Sequence, residues 1–312
     1  MVRGRLGRIG TASALTAALA AVISASGLAP AGTAAAATRE TAGGTPSVPG
    51  IVHAVAEAAQ DAAAGYWTPA RMASATPVTS ARPSGSGAPP GTPNPVYSNG
   101  VRTVGALFFT TGTKTHFCTA SVVDSATLNI VLTAAHCVYG SGYATRIAYV
   151  PGWHRGVSPY GVWPVQSITV ASGWQQSHSD SLDFAFLKVA PPSGQPLPVQ
   201  LVTGGLVLGI DQGYAHPVEV VGYNDTDSRP VKCATKSFEF KPGQMEFYCN
   251  GFWDGTSGGP WITNFDASTG TGMAIGDIGG YEQGGDYPWA SYSDYYGEPT
   301  LQLFHQAQAS QV

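Results

Sequence analysis

Charge is scarce in this 312-residue sequence. Asp, Glu, Lys and Arg together make up 11% of it, and the formal net charge is -4. A basic stripe able to follow a phosphate backbone is missing, which argues against a nucleic-acid partner. Long apolar runs are scarce too. Beyond the first residues no stretch approaches the roughly 20 apolar residues needed to span a bilayer, so no membrane contact is expected of the mature protein. There is no C-x-x-C and no H-E-x-x-H spacing, and His53, His116, His154, His178, His216 and His305 have no carboxylate or cysteine at a ligand spacing. No metal site and no cofactor are therefore expected. No internal repeat at a solenoid period is present. What is plentiful is Gly, at 40, together with 14 Tyr, 11 Phe and 7 Trp. That balance suits turn-rich β structure rather than a helical bundle.

The N-terminus carries Arg3, Arg5 and Arg8, then an Ala-rich apolar run from about Ala12 to Ser24, then small residues around Ala34 to Ala37. This is the order of a secretory signal peptide, read here as residues 1–37 with Ala35-Ala36-Ala37 as the cleavage end. An extracellular, monomeric mature protein is expected. Residues 38–98 are rich in Ala, Pro, Gly, Ser and Thr, with one helix-like stretch from Val52 to Ala64. Such a segment cannot bury a core of its own and reads as a pro-segment or linker. Pro89-Pro90 and Pro93-Asn94-Pro95 mark its end.

All four cysteines, Cys118, Cys137, Cys233 and Cys249, follow the export segment, where oxidation would let them pair. Three connectivities are open. Near-neighbour pairing, Cys118 with Cys137 and Cys233 with Cys249, closes two loops of about 20 residues or fewer, each stabilising by roughly 3 kcal/mol in the chain-entropy model.

From Val101 onward, short apolar runs are bounded by Gly, Asp, Asn and Pro, the texture of an antiparallel barrel. They include Val104–Phe109, Ala120–Val123, Ile130–Thr133, Ala185–Val189, Val218–Val221 and Met273–Ile278. The fold class is all-β, with one barrel over residues 99–195 and a second over 196–312. A short helix over Thr300–Ala309 is expected to close the second.

Three local patterns carry chemistry. In Leu132-Thr133-Ala134-Ala135-His136-Cys137 an apolar strand ends at a histidine among small residues, which let the backbone turn under the ring. In Asp183-Phe184-Ala185-Phe186-Leu187 a carboxylate leads straight into an apolar strand. Buried there, it needs a donor, and an imidazole N–H is suitable. Asp180 competes for that role, but it lies among Ser and His residues suited to a solvated loop. In Gly255-Thr256-Ser257-Gly258-Gly259-Pro260 a serine stands among residues that permit unusual backbone angles. Its hydroxyl becomes a nucleophile only when a base takes its proton. The N–H groups of Gly255 and Ser257 could then face a developing oxyanion.

Taken in order, T-A-A-H-C, D-F-A-F-L and G-T-S-G-G-P resemble the three signatures of the trypsin/chymotrypsin-like serine peptidases, with the secreted bacterial branch the nearest likeness. Val220-Val221-Gly222-Tyr223 resembles the strand that opens the second barrel. The resemblance implies two six-stranded antiparallel barrels, a polypeptide substrate and a catalytic cleft to which His136 and Asp183 come from the first barrel and Ser257 from the second. The sequence departs from trypsin at Thr256, where trypsin has the aspartate that captures a freed N-terminal amine. It departs again at Gly251, where trypsin has its pocket aspartate. Gly251, Asp254, Asp277 and Gly279 are the candidate pocket residues, the two aspartates expected at an exposed rim. Glutamate-selective bacterial relatives carry a histidine on the later strand, and none stands between Met273 and Gly280. The side-chain preference stays open. A second class of function is a catalytically silent homologue that binds through the cleft or through Tyr292, Tyr295 and Tyr296.

Overall fold

The computed structural model describes residues 48–78, 87–225, 227–285 and 287–311. The proposed signal peptide and the start of the following segment, through residue 47, lie outside the described residues.

Residues 48–78 are not a detached spacer. Strand β1 (Gly50–Ala54) is followed by helix α1 (Glu57–Tyr66), helix α2 (Pro69–Ser74) and the two-residue strand β2 (Thr76–Pro77). The helix-like stretch read from Val52 to Ala64 is therefore strand first and helix second. Its opening residues pair antiparallel with a barrel strand, Gly50 opposite Ala171 through Ala54 opposite Ser167, and that ladder outweighs the weak helical preference of an isolated short segment. The segment then lays Trp67 and Met72 onto the first barrel, where both are buried with Phe108, Ala148, Val150 and Trp153.

The first barrel comprises β4 (Val104–Thr111), β5 (Lys114–Val123), β6 (Ile130–Thr133), β7 (Thr145–Pro151), β8 (Trp163–Ala171) and β9 (Ala185–Val189), preceded by the short β3 (Val96–Tyr97). Pairings β7–β4–β5–β6–β9–β8–β7 close it into a ring of six strands. Closure removes the exposed edges that an open sheet would present. Along β4, Leu107 and Phe109 point into the barrel, whereas Ala106 and Phe108 point out beneath Trp67. The strand is apolar on both faces because both are covered.

The second sheet runs β10 (Val207–Leu208), β15 (Thr271–Asp277), β14 (Pro260–Asp266), β11 (Pro217–Tyr223), β12 (Pro230–Lys241), β13 (Gln244–Tyr248), β16 (Ala290–Asp294). It curls until the chain beyond β15 meets β16, where Gly279 N–H donates to Tyr292 O at 3.1 Å. Strand β3 adds to β12. The strands expected from the sequence all form.

Among the described residues four further α-helices occur: α3 (Ala135–Val138), α4 (Ser172–Ser177), α5 (Val199–Thr203) and α6 (Glu298–Ala309). Helix α6, expected to close the second barrel, packs chiefly against β1, β8 and β9 on the first-barrel side. Its Leu303, Phe304 and Ala307 share a buried cluster with Ile130, Leu132, Phe184 and Phe186 of the first barrel and with Val221, Ile262 and Ala274 of the second. This cluster is the apolar joint between the barrels. Helix α6 also clasps the N-terminal strap: Gln302 Oε1 accepts Val48 N–H at 2.7 Å and Gln306 Oε1 accepts Gly50 N–H at 2.6 Å.

The disulfides are Cys118–Cys137 and Cys233–Cys249, the near-neighbour pairing. Among the described residues no helix is long and apolar enough to cross a membrane. Tyr292 and Tyr296 are buried at 4% and 1% exposure, and Tyr295 accepts Gly213 N–H on its hydroxyl. Tyr295 packs against the core of the second sheet and Tyr296 lies in the buried cluster between the barrels, so the three do not form an exposed aromatic surface.

Candidate active site

Strands β6 and β9 lie side by side, Thr133 opposite Ala185. Their register brings the residue after one strand and the residue before the other to the same end of the barrel. Past Thr133 the chain enters the single turn α3, which carries His136, while the Cys118–Cys137 bond ties that turn to β5. Asp183 stands between a 3-10 turn (Asp180–Leu182) and β9. Small Ala134 and Ala135 are fully buried beneath the turn, so bulkier side chains there would displace it.

The result is a double clamp. Asp183 Oδ2 lies 2.8 Å from His136 Nδ1, and Asp183 Oδ1 accepts the backbone N–H of His136 at 2.8 Å. Gly280 N–H, from the second barrel, donates to the same Oδ2 at 3.0 Å. With 0% and 5% side-chain exposure for Asp183 and His136, three donors hold the carboxylate where water cannot, as a buried charge requires. Burial by itself would push the imidazole pKa down. The charge and hydrogen bond of Asp183, with a smaller contribution from Asp277, overcome that and leave it raised above 6.5. Asp180, the rival carboxylate, is 43% exposed and pairs with Lys241 at 3.4 Å, as a solvated loop residue would.

The Ser257 turn is seated against this loop. Thr119 N–H donates to Ser257 O at 2.8 Å, and Thr119 Oγ1 donates to Gly255 O at 3.0 Å while accepting Tyr223 N–H at 2.8 Å. Thr133 Oγ1 donates to Thr119 O at 2.8 Å. One threonine thus joins the serine turn, β11 and the end of β6. Glycine is required at two places. Gly255 has φ +96° and a Cβ there would meet Tyr223 O at 2.7 Å; Gly258 has φ +77° and a Cβ there would meet Ala134 N at 2.8 Å. Inside the turn, the N–H groups of Thr256, Gly258 and Gly259 donate to Trp253 O, Ile278 O and Thr256 O.

The candidate pocket residues separate. Gly251 (φ +76°) packs near Pro95 and Trp253, and Asp254 is half-buried in the loop that leads to the serine. Asp277 is fully buried, with Tyr296 OH donating to its Oδ1 at 2.6 Å. It is neither exposed nor at a rim, because consecutive residues at the end of β15 are covered on both faces. Gly279 lies behind the pair: a Cβ there would be 2.8 Å from Asp183 O. Sequence reasoning missed Thr119 and Gly280. A threonine inside an apolar strand is a faint signal for the first; the second acts only through its backbone and leaves none.

Among the described residues, one grouping has metal-ligating types, Cys118, His136 and Cys137, and both sulfurs are committed to a disulfide. A groove of about 840 Å³ among the described residues is walled by Pro89–Pro93, β11, β12 and their neighbours and contains none of His136, Asp183 or Ser257. Chemistry, not volume, marks the site.

Residues 94–288 match the trypsin family model. The chain belongs to the trypsin family of serine peptidases. Among solved structures, this trypsin-family chain is similar to the protease Anisep from Arthrobacter nicotinovorans (24% identity, TM-score 0.61, covering 69% of this chain and 99% of that one). It is also similar to the thermostable serine protease AL20 from an extremophilic microorganism (23%, TM-score 0.60, 68% and 99%). A Glu endopeptidase shares the fold at 14% identity (TM-score 0.56, 70% and 99%). No curated protein matches the chain. The trypsin-like double-barrel fold and the family membership support a peptidase acting on polypeptides.

Proposed function

We propose that this trypsin-family protein is a secreted serine endopeptidase in which Ser257 is the nucleophile, His136 the general base and Asp183 the group that orients it. The observation that carries the reading is the Asp183 clamp, which fixes both the backbone and the ring of His136. With Nδ1–H held by the carboxylate, the lone pair sits on Nε2, the tautomer a base needs. His136 Nε2 takes the Ser257 proton as the hydroxyl attacks the scissile carbonyl. The imidazolium so formed is stabilised by Asp183 and then protonates the leaving amine. Water, deprotonated by the same nitrogen, hydrolyses the acyl-enzyme. Gly255 and Ser257 N–H, the two in this turn without an internal role, are assigned to the oxyanion, each contributing about 10² to 10³ in turnover.

Secretion is the compartment that suits this chemistry. Arg3, Arg5 and Arg8 ahead of an apolar run read as an export signal, and the two disulfides suit an oxidising environment. Membership of the secreted bacterial branch would suit this compartment.

A serine-directed phosphonate should add once, on Ser257, with loss of peptide cleavage. His136→Ala should abolish both labelling and cleavage. A folded protein that cleaves no peptide library and takes no label would favour the silent, ligand-binding alternative.

A further inference from the structure

Behind the His136–Asp183 pair lies a second layer of acidic groups that the hydrolytic steps leave unused. Asp277 is held by Tyr296 OH on Oδ1, and its backbone N–H donates to Ser293 Oγ at 3.0 Å. Its Oδ2 is buried with no hydrogen-bond partner among the described residues. Only a glycine stands between that oxygen and the catalytic pair: a Cβ on Gly279 would lie 3.3 Å from Asp183 Oδ2 and 3.4 Å from Asp277 Oδ2. Nearby on β16, Asp294 is also buried, receiving Gln244 Nε2–H on Oδ1 at 3.3 Å and nothing on Oδ2.

Three carboxyl groups in one buried patch cannot all be ionised. The donors decide which one is. Asp183 accepts three N–H groups, whereas Asp277 and Asp294 accept one donor each. The charge therefore resides on Asp183 and the other two tend to keep their protons. Burial pushes Asp277 up to about 7, against the opposing effect of its Tyr296 hydrogen bond. Burial carries Asp294 well above the usual carboxylate range. Asp277 thus differs from Asp294 in changing charge near neutral pH, beside an imidazole whose own pKa is raised above 6.5. The titratable groups acting on it are Asp183 and His136 from the first barrel and Tyr296 beyond β16, with Asp294 the next carboxyl along. Among the described residues no lysine or arginine pairs with any of the three carboxyls, and the one ion pair formed is His136–Asp183.

We propose that Asp277 is a positioning residue of the active site, which on ionising places a second negative charge behind Asp183 and so keeps the proton on His136 to higher pH. The proposal rests on the peptidase reading, in which His136 must be neutral to work.

The test is the pH profile of kcat/KM for the full chain, Asp277→Asn and Tyr296→Phe, alongside an NMR titration of the His136 ring in each. The wild-type acid limb should spread over two steps, since two interacting groups titrate together. In Asp277→Asn it should become a single step displaced to lower pH by about half a pH unit, a threefold change in proton affinity, with the ring titration moving likewise. Tyr296→Phe removes the bond that favours the carboxylate, so the Asp277 step should move to higher pH. If the limb and the ring titration stay in place in both variants, the proposal is overturned, whether or not the plateau falls; a falling plateau alone would mark a packing role. Absence of any acid limb in the wild type, or of a reactive Ser257, would instead overturn the peptidase reading, and the ring titration would still report the coupling.

Discussion

Replacing Trp67 by alanine tests whether the N-terminal strap belongs to the folded protein. The ring is 3% exposed. It packs among Met72, Phe108, Ala148, Val150 and Trp153, with its centroid 5.3 Å from that of Phe108. Its Nε1–H donates to Arg146 O at 2.5 Å. Truncating a tryptophan so placed costs about 3–5 kcal/mol. Because the barrel ring closes without the strap, this loss should fall on strap docking and leave the barrel intact. At 1.36 kcal/mol per factor of ten, the opening equilibrium of residues 50–74 should rise by about 10² to 10⁴. Hydrogen exchange read by mass spectrometry would show faster exchange in β1, α1 and α2, while β4 to β9 change little. Trp67→Phe keeps a ring and should recover much of the protection. Strap exchange within about threefold of wild type in Trp67→Ala would refute the reasoning, since a factor that small is well under 1 kcal/mol.

Other outcomes follow from the same geometry. Asp183→Asn must set its NH₂ against a donor: in the Oδ2 position it opposes Gly280 N–H and forces His136 Nδ1 to accept, moving the ring proton onto Nε2. Steady-state kinetics should show kcat lower by about 10⁴, and a loss under tenfold would contradict the assigned tautomer. Since the His136 pKa is raised above 6.5, kcat/KM should fall on acidification with a midpoint above that value, and a flat profile down to about pH 4 would contradict the base assignment. Stability should respond in the opposite sense. The folded protein holds a proton that the unfolded chain releases, so this contribution is full below about 6.5 and is lost as pH rises through the folded value. Thr119→Val keeps the shape but removes the bonds to Gly255 O and Tyr223 N–H, leaving two buried backbone groups unpaired. Urea denaturation should report a loss of roughly 2–5 kcal/mol, and a change under about 0.5 kcal/mol would dismiss its role as the hub.

The parts of this molecule legible in its sequence are those whose cause is local. Ile130–Thr133 reads as a buried strand, and the small residues after it permit the turn that carries His136. Asp183 beside Phe184 reads as a carboxylate forced inward. The strap was illegible because its burial depends on a partner distant in sequence: half of Glu57–Tyr66 is alanine, and Trp67 has no apolar surface to cover until β4 is brought beneath it. A trace of this was present in the unbroken apolar run Val104–Phe109, which implies cover on both faces. The orientation of Asp277 was hidden for a related reason. At the end of β15 all four of Ala274–Asp277 are buried, so the alternation that would separate inside from outside is lost where the sheet meets the joint between barrels. Helix α6 was readable as a helix, but nothing local revealed that it bridges both barrels and clasps β1.

That clasp imposes an order on assembly. Val48 and Gly50 are made early, yet their partners Gln302 and Gln306 lie 254 and 256 positions further along. A chain synthesised from its N-terminus has to carry β1 unsecured on that side until helix α6 emerges. Among the described residues these pairings span nearly the longest separations, and the entropy of closing so large a loop is best met after both barrels have already drawn their ends together. The strap is thereby a late latch, one that cannot close until helix α6 has been made.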